Sequence, residues 1–183
     1  RGEPEPTNQG YGWDKRMAER QAIYYSREYG MEIAIARPFN AYGLRDHYDE
    51  GTSHVIPALI KRALHGEDPM VVWGSGNQSR AFVHVRDVAK GLMSLTEHYA
   101  VGDPVNIGHD QEITIRQLVG VILGITGKSP KVVFDATKPD GYSRRAADVA
   151  KLRSVTRGFL PETPLEEGIR EMVDEFRAST QKG

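Results

Sequence analysis

Tyr11 and Lys15 put a phenol and an ammonium four residues apart at the opening of a helix-forming stretch, Gln9-Gly10-Tyr11-Gly12-Trp13-Asp14-Lys15-Arg16-Met17-Ala18-Glu19. Side chains at that spacing are neighbours on one helical face. An adjacent cation favours phenolate over phenol, drawing a tyrosine from its reference near ~10 towards proton transfer at neutral pH. With 8 Tyr and 8 Lys among 183 residues, the spacing alone decides little. A tyrosine packed on a helix with a lysine snorkelling beside it is the competing reading.

The elements that would position this pair follow from the hydrophobic pattern. Good helix formers dominate 12–29, with Tyr11, Lys15, Ala18, Ala22, Tyr25 and Tyr29 at spacings of three and four, and Gly30 ends the run. A short apolar strand is expected over 31–36, leading into the loop Arg37-Pro38-Phe39-Asn40-Ala41-Tyr42-Gly43. Helix, glycine turn and strand make half of a βαβ unit. A polar loop, 44–52, precedes a helix over 54–65 that Ser53 would cap, with Pro57 tolerated near its first turn. Strands are expected at 70–73 and 82–85, joined by Gly74-Ser75-Gly76, read as a turn that brings Arg80 back towards Trp73. A helix over 87–99, a strand over 104–108, an extended piece at 112–115, a helix over 116–126 and a strand over 131–134 continue the alternation. Asp148 would cap a short helix ending near 155. Thr163-Pro164-Leu165-Glu166 would launch a last helix to about 178.

Composition bounds the function classes. At 39% hydrophobic and 27% charged residues the chain is an ordinary globular one, and a net charge of −1 supplies no basic field, so nucleic acid is not an expected partner. The absence of cysteine excludes disulfides and cysteine nucleophiles and is compatible with a cytoplasmic setting. No apolar run approaches the ~20 residues of a membrane span, and no signal peptide is visible. The chain opens at Arg1, with a polar segment running almost at once into a helix, so it is expected to be a fragment that lacks an earlier part.

Taken in order, Tyr11-Gly-x-x-Lys15, Arg37-Pro-Phe-Asn40-x-Tyr-Gly43, Val72-Trp-Gly-Ser-Gly-x-x-x-Arg80-x-Phe-x-x-Val85-x-Asp87-Val88-Ala89, Val105-Asn-Ile-Gly108 and Thr163-Pro-Leu-Glu-Glu-Gly168 resemble the extended short-chain dehydrogenase/reductase family. The order of matches, running over nearly the whole chain, is far more specific than any one motif. Two stretches look like the GDP-fucose synthase branch: Ser53-His54-Val55-Ile56-Pro57-Ala58-Leu59-Ile60, and Thr137-Lys138-Pro139-Asp140-Gly141 followed by Arg144, Arg145 and Asp148. Leu44 and Arg86 depart from the usual patterns, and the helix opening resembles other sugar epimerases more than the synthase.

The resemblance implies an α/β fold: the C-terminal part of a Rossmann-type parallel sheet plus a smaller α/β substrate-binding domain. Residues 1–50, with 86–108 returning, would belong to the former, and 51–85 with 109–183 to the latter. It implies NAD or NADP as cofactor (NADP for the synthase branch) and a nucleoside-diphosphate sugar as substrate. It also implies a homodimer formed through the helix after Tyr11. The glycine-rich pyrophosphate turn of such folds would precede Arg1, so the fragment alone is expected to be inactive. The implied activity is epimerisation and reduction of GDP-4-keto-6-deoxymannose. A UDP-sugar 4-epimerase or decarboxylase-like enzyme, or a cofactor-independent nucleotide-sugar binding module, are the alternatives.

On this resemblance Tyr11 is the acid/base for the sugar hydroxyl, and Lys15 tunes it while contacting the nicotinamide ribose. Pro38, Phe39, Asn40 and Ala41 lie past the carboxyl end of a strand, where their backbone can face the nicotinamide and the Asn40 side chain a diphosphate. His54 matches an acid/base for proton exchange at C3 and C5 that also contacts the cofactor; a capping or surface histidine is the alternative. Arg62 and Arg80 can neutralise the diphosphate, Trp73 offers a face for the nucleoside, and Lys138 and Asp140 match a ribose or base contact. Arg62, Lys138 and Asp140 are each open to a second reading as solvated surface charges. No metal site is expected.

Overall fold

The computed structural model describes residues 9–49, 52–138 and 141–180, with the side chain of Gln9 outside that description. Helix α1 (Gln9–Tyr29) is one continuous 21-residue element, and Gly30 closes it at φ 65°. Two contacts fix it to later parts of the chain. Glu19 receives hydrogen bonds from both Arg37 Nε, at 2.6 Å, and Arg37 Nη2. Ser26 presses against Gly102 so closely that a Cβ there would stand 2.8 Å from the Ser26 Cβ.

Strand β1 (Ala36–Pro38) pairs in parallel with β6 (Val105–Ile107) and is later and shorter than the strand expected over 31–36. Pairing sets the boundary rather than apolar content. Ile33 makes only an isolated bridge to Val101, because Gly102 turns at φ 68° and Pro104 has no N–H to donate before the ladder resumes at Val105. Strand β2 (Ala41–Tyr42) pairs in parallel with β5 (Val83–His84).

Strand β3 (Met70–Trp73) pairs in parallel with β8 (Val132–Asp135), not with the strand that follows it. The turn expected at Gly74-Ser75-Gly76 therefore does not pair β3 with the strand that follows. Instead β4 (Ser79–Ala81) becomes the centre of a three-stranded sheet between β7 (Glu112–Thr114), antiparallel, and β9 (Arg144–Arg145), parallel. The glycine loop is clamped from the side: a Cβ on Gly76 would collide with the Phe134 ring, on which the Arg116 guanidinium lies 3.8 Å from the centroid while donating to the Ser75 carbonyl at 2.9 Å.

Helices α2 (Val55–Leu64), α3 (Val85–His98), α4 (Ile115–Thr126), α5 (Ala150–Val155) and α6 (Leu165–Thr180) complete the chain. Their starts differ from expectation for local reasons. His54, not Ser53, is the N-cap of α2, without a side-chain capping bond. Helix α3 begins at Val85 because His84 Nδ1 accepts from the Arg86 amide at 3.3 Å. Thr114 and Gln117 form a capping box at α4. Val149 is the N-cap of α5, while Asp148 accepts from the Ala150 amide at 3.0 Å.

The buried apolar side chains form two clusters. One packs α2, α4 and α6 over β3 around Ile60, Leu118, Ile122 and Met172; the other joins β5, β6, α3 and α5 around Val83, Leu95, Ile107 and Leu152. Tyr42 and Phe82 belong to the first cluster and Val83 to the second, so the segment running through β4 and β5 bridges the two. Buried Asp87 stitches the chain before α6 to α3, accepting from the Thr163 amide at 2.9 Å. Among the described residues no helix is long and apolar enough to cross a membrane.

Candidate functional site

A cavity of about 990 Å³ lies between α2, β3 and β4. Its floor is apolar, from Leu59, Val72, Phe82 and Ile115, with Gln78 buried beside them, and Asn40, Lys61, Arg62, Glu67, Trp73 and Arg80 complete the lining. Four of the six residues expected to meet a sugar nucleotide, Asn40, Arg62, Trp73 and Arg80, thus come together from three separate stretches of chain. Strand β3 ends on Trp73, a residue 66% exposed, and Lys138 Nζ stands 5.6 Å from its ring centroid. Asp140 lies outside the described residues.

Each cation is positioned differently. Arg80, on the central strand of its sheet, donates from Nη1 to the Ser79 carbonyl at 2.7 Å and to the Tyr142 carbonyl at 2.8 Å. Arg62, in the last turn of α2, gives Nη2 to Glu67 Oε1 at 2.7 Å and Nε to the other carboxylate oxygen. That pairing holds the Glu67 carboxyl below its usual range. Lys61 Nζ reaches the Tyr48 carbonyl at 3.1 Å, and burial pushes the Tyr48 phenol upwards, so it remains a donor.

Asn40 sits at φ 46°, and its Nδ2 spends one of its two N–H donors on the Ala81 carbonyl at 2.7 Å, tying this loop to β4 while the residue lines the cavity. The Phe39 amide is committed likewise, to the Ile107 carbonyl at 2.9 Å. Pro38 and Ala41 are exposed on either side.

Tyr11, Lys15 and His54 do not line the cavity. Tyr11 is 66% exposed in the first turns of α1, with Lys15 Nζ 5.3 Å from its ring centroid, so the pair meets as the helical spacing requires. The His54 side chain is 75% exposed, its Nδ1 lying 3.3 Å from Asp46 Oδ1, between cavity-lining Ser53 and Val55 in sequence.

Glu67 and Gln78 are among the lining residues that were not expected from the sequence. Glu67 follows the end of α2, and an Arg-x-x-x-x-Glu spacing carries no helical signal that would pair it with Arg62. Gln78 is 8% exposed, with an Oε1 that has no hydrogen-bond partner among the described residues. It falls in the segment read only as a turn. An aromatic face beside two guanidinium groups over an apolar floor suits a flat base carrying a diphosphate.

For a nicotinamide cofactor the residues present fit in part. The open Tyr11–Lys15 pair and the exposed backbone at the carboxyl end of β1 suit its nicotinamide end. A pyrophosphate cradle has no candidate, since no Gly-x-Gly-x-x-Gly or Gly-x-x-Gly-x-x-Gly spacing occurs in the 183 residues.

Residues 1–108 match the model of a family described as the NAD dependent epimerase/dehydratase family. The chain is 36% identical over 171 residues to a probable GDP-L-fucose synthase 1 of Oryza sativa subsp. japonica, an alignment covering 91% of this chain and 52% of that protein. It is also 36% identical over 167 residues to UDP-glucuronic acid decarboxylase 1 of Xenopus tropicalis, covering 91% of the chain and 38% of the relative. The crystal structure of a GDP-L-fucose synthetase from Naegleria fowleri bound to NADP superposes with a TM-score of 0.87 at 27% identity, over 100% of this chain and 60% of that one. The chain therefore spans about half the length of the curated relatives it matches.

Proposed function

Since the chain belongs to the NAD dependent epimerase/dehydratase family, we propose that it is the substrate-holding, tyrosine-bearing portion of an NADP-dependent enzyme of the GDP-fucose synthase type. Such an enzyme epimerises and then reduces GDP-4-keto-6-deoxymannose. The observation that carries the proposal is the convergence of Arg62, Arg80 and Trp73 on one cavity of nucleotide-sugar size. Similarity to the rice synthase and to the NADP-bound Naegleria structure supports the choice of sugar and cofactor.

In this reading Trp73 stacks the base, with Lys138 and Asp140 near it, and the two arginines share the charge of the diphosphate. Bound in its reduced form, NADPH would supply the hydride. Tyr11 delivers the proton that the reduced carbonyl oxygen needs, and Lys15, against its ring, stabilises the phenolate left behind. His54, beside Asp46, serves as acid or base on one face of the epimerised carbons, and a second group must exchange the proton on the opposite face. Pro38, Phe39 and Ala41 line the nicotinamide end, and Asn40 holds their loop against β4. The division expected from the sequence, 1–50 with 86–108 as the cofactor-binding part and 51–85 with 109–183 as the substrate part, belongs to the same proposal, with β5 and α5 added to the former because Val83 and Leu152 pack in its apolar cluster. A cytoplasmic homodimer paired through α1 belongs to the same proposal.

Similarity to the frog decarboxylase favours one second reading, an enzyme of UDP-sugars. Incubating the full-length protein with GDP-4-keto-6-deoxymannose and NADPH separates them. Oxidation of NADPH with formation of GDP-fucose is expected. No turnover there, together with interconversion or decarboxylation of UDP-sugars, assigns the second reading. Nucleotide-sugar binding without turnover of any of these leaves a binding module.

A further inference from the structure

Glu67 sits in the proposed diphosphate site and holds the same fork of Arg62 that a diphosphate would take. It is placed there by backbone as well as side chain. Helix α2 ends at Leu64 with His65 as its C-cap, Gly66 turns at φ 75°, and the Glu67 amide donates to the Arg62 carbonyl at 3.2 Å. That turn brings the carboxylate back along the helix onto Arg62, where Nη2 donates to Oε1 at 2.7 Å and Nε to Oε2. Both residues line the cavity and are partly open to it, their side chains 30% and 38% exposed. A carboxylate and a phosphate meet a guanidinium through the same pair of parallel N–H donors, so only one of them can hold that fork at a time.

Resting on the reading of this cavity as a nucleoside-diphosphate site, we propose that Glu67 is its internal competitor. The carboxylate stands in for a phosphate on Arg62 and is displaced when the diphosphate enters. Glu67 thereby sets the affinity of the site and its preference for phosphate-bearing ligands. An uncharged nucleoside has nothing to offer Arg62 and leaves the pair intact. A diphosphate exchanges one charge-assisted pair for another, and binding is weakened by the exchange. The pair is partly solvated, which keeps the exchange within reach of an ordinary ligand.

Titration calorimetry of the chain with GDP, UDP, guanosine and uridine tests this in wild type, Glu67→Gln, and Glu67→Gln combined with Arg62→Ala. The amide keeps the shape and removes the charge. Glu67→Gln is expected to bind the diphosphates about 3- to 10-fold more tightly, to leave the nucleosides unchanged, and to lose the gain when Arg62 is also replaced. Equal or weaker diphosphate binding by Glu67→Gln overturns the competitor role while leaving the cavity's assignment standing. An equal gain for nucleosides overturns it too, because the effect would then not pass through Arg62. No binding of any diphosphate by wild type and Glu67→Gln alike, with thermal unfolding intact, overturns the reading of the cavity and the proposal with it.

Discussion

Replacing Tyr11 by Phe removes one hydroxyl and leaves the ring, the helix and the lysine contact in place. On the proposed mechanism, turnover of the full-length enzyme should fall by about 100- to 10,000-fold, the usual range for a lost acid/base, while binding of the sugar nucleotide holds. A variant turning over at the wild-type rate would remove Tyr11 from the chemistry. Buried His84 makes a different, thermodynamic prediction. Burial pushes its pKa down, against an upward pull from Glu171, whose Oε2 lies 3.5 Å from Nε2. The unfolded chain gains a proton near the ordinary value of ~6.5 that the folded one resists, so the stabilising contribution is complete above that value and is lost as pH falls through the lowered one. The urea midpoint should therefore drop between pH 7.5 and pH 5, and His84→Gln should flatten that drop; an equal drop in the variant would assign it to other groups. Tyr11 and Lys15 were legible as a pair because helical spacing is local. Glu67 was not, since its meeting with Arg62 needs the particular way α2 ends.

The loop between β3 and β4 is the element that sets Trp73 and Gln78 in one wall. Gly76 allows it in two ways, by its φ of 77° and by the closeness of the Phe134 ring. Gly76→Ala should cost roughly 1–3 kcal/mol, because both backbone strain and a displaced ring oppose the methyl. Chemical denaturation measures it directly, and an unchanged midpoint would mean that the loop and ring yield freely. The helices read well from the sequence because amphipathic spacing and breakers such as Gly30 and Gly127 lie within a few residues of one another. The short strands read less well. Their limits depend on a partner far along the chain, as the delay of β1 by Gly102 and Pro104 shows, and β3 finds β8 some 60 residues on, passing over the adjacent β4.

Across the whole molecule, α1 presents Tyr11, Trp13, Met17, Tyr24, Tyr25 and Tyr29 as exposed side chains, while the Glu19–Arg37 pair and the approach of Ser26 to Gly102 tie it to the described body. A helix with so much apolar surface suits association, and sedimentation at micromolar concentration is expected to give a dimer that Met17→Asp with Tyr24→Asp converts to monomer. A wild-type monomer would sink the proposal of pairing through α1. The sequence by itself determined the family, through motifs whose order survives without coordinates, and with it the α/β alternation and the Tyr11–Lys15 pair. Only the tertiary structure decided which of the expected ligand residues meet. It gathered Asn40, Arg62, Trp73 and Arg80 around one cavity, tied Asn40 to the Ala81 carbonyl, set His54 against Asp46, and brought in Glu67 and Gln78. The reason is physical: a motif records which groups are present, whereas a site depends on where each side chain's hydrogen bonds and charges are already spent, and those partners come from distant parts of the chain.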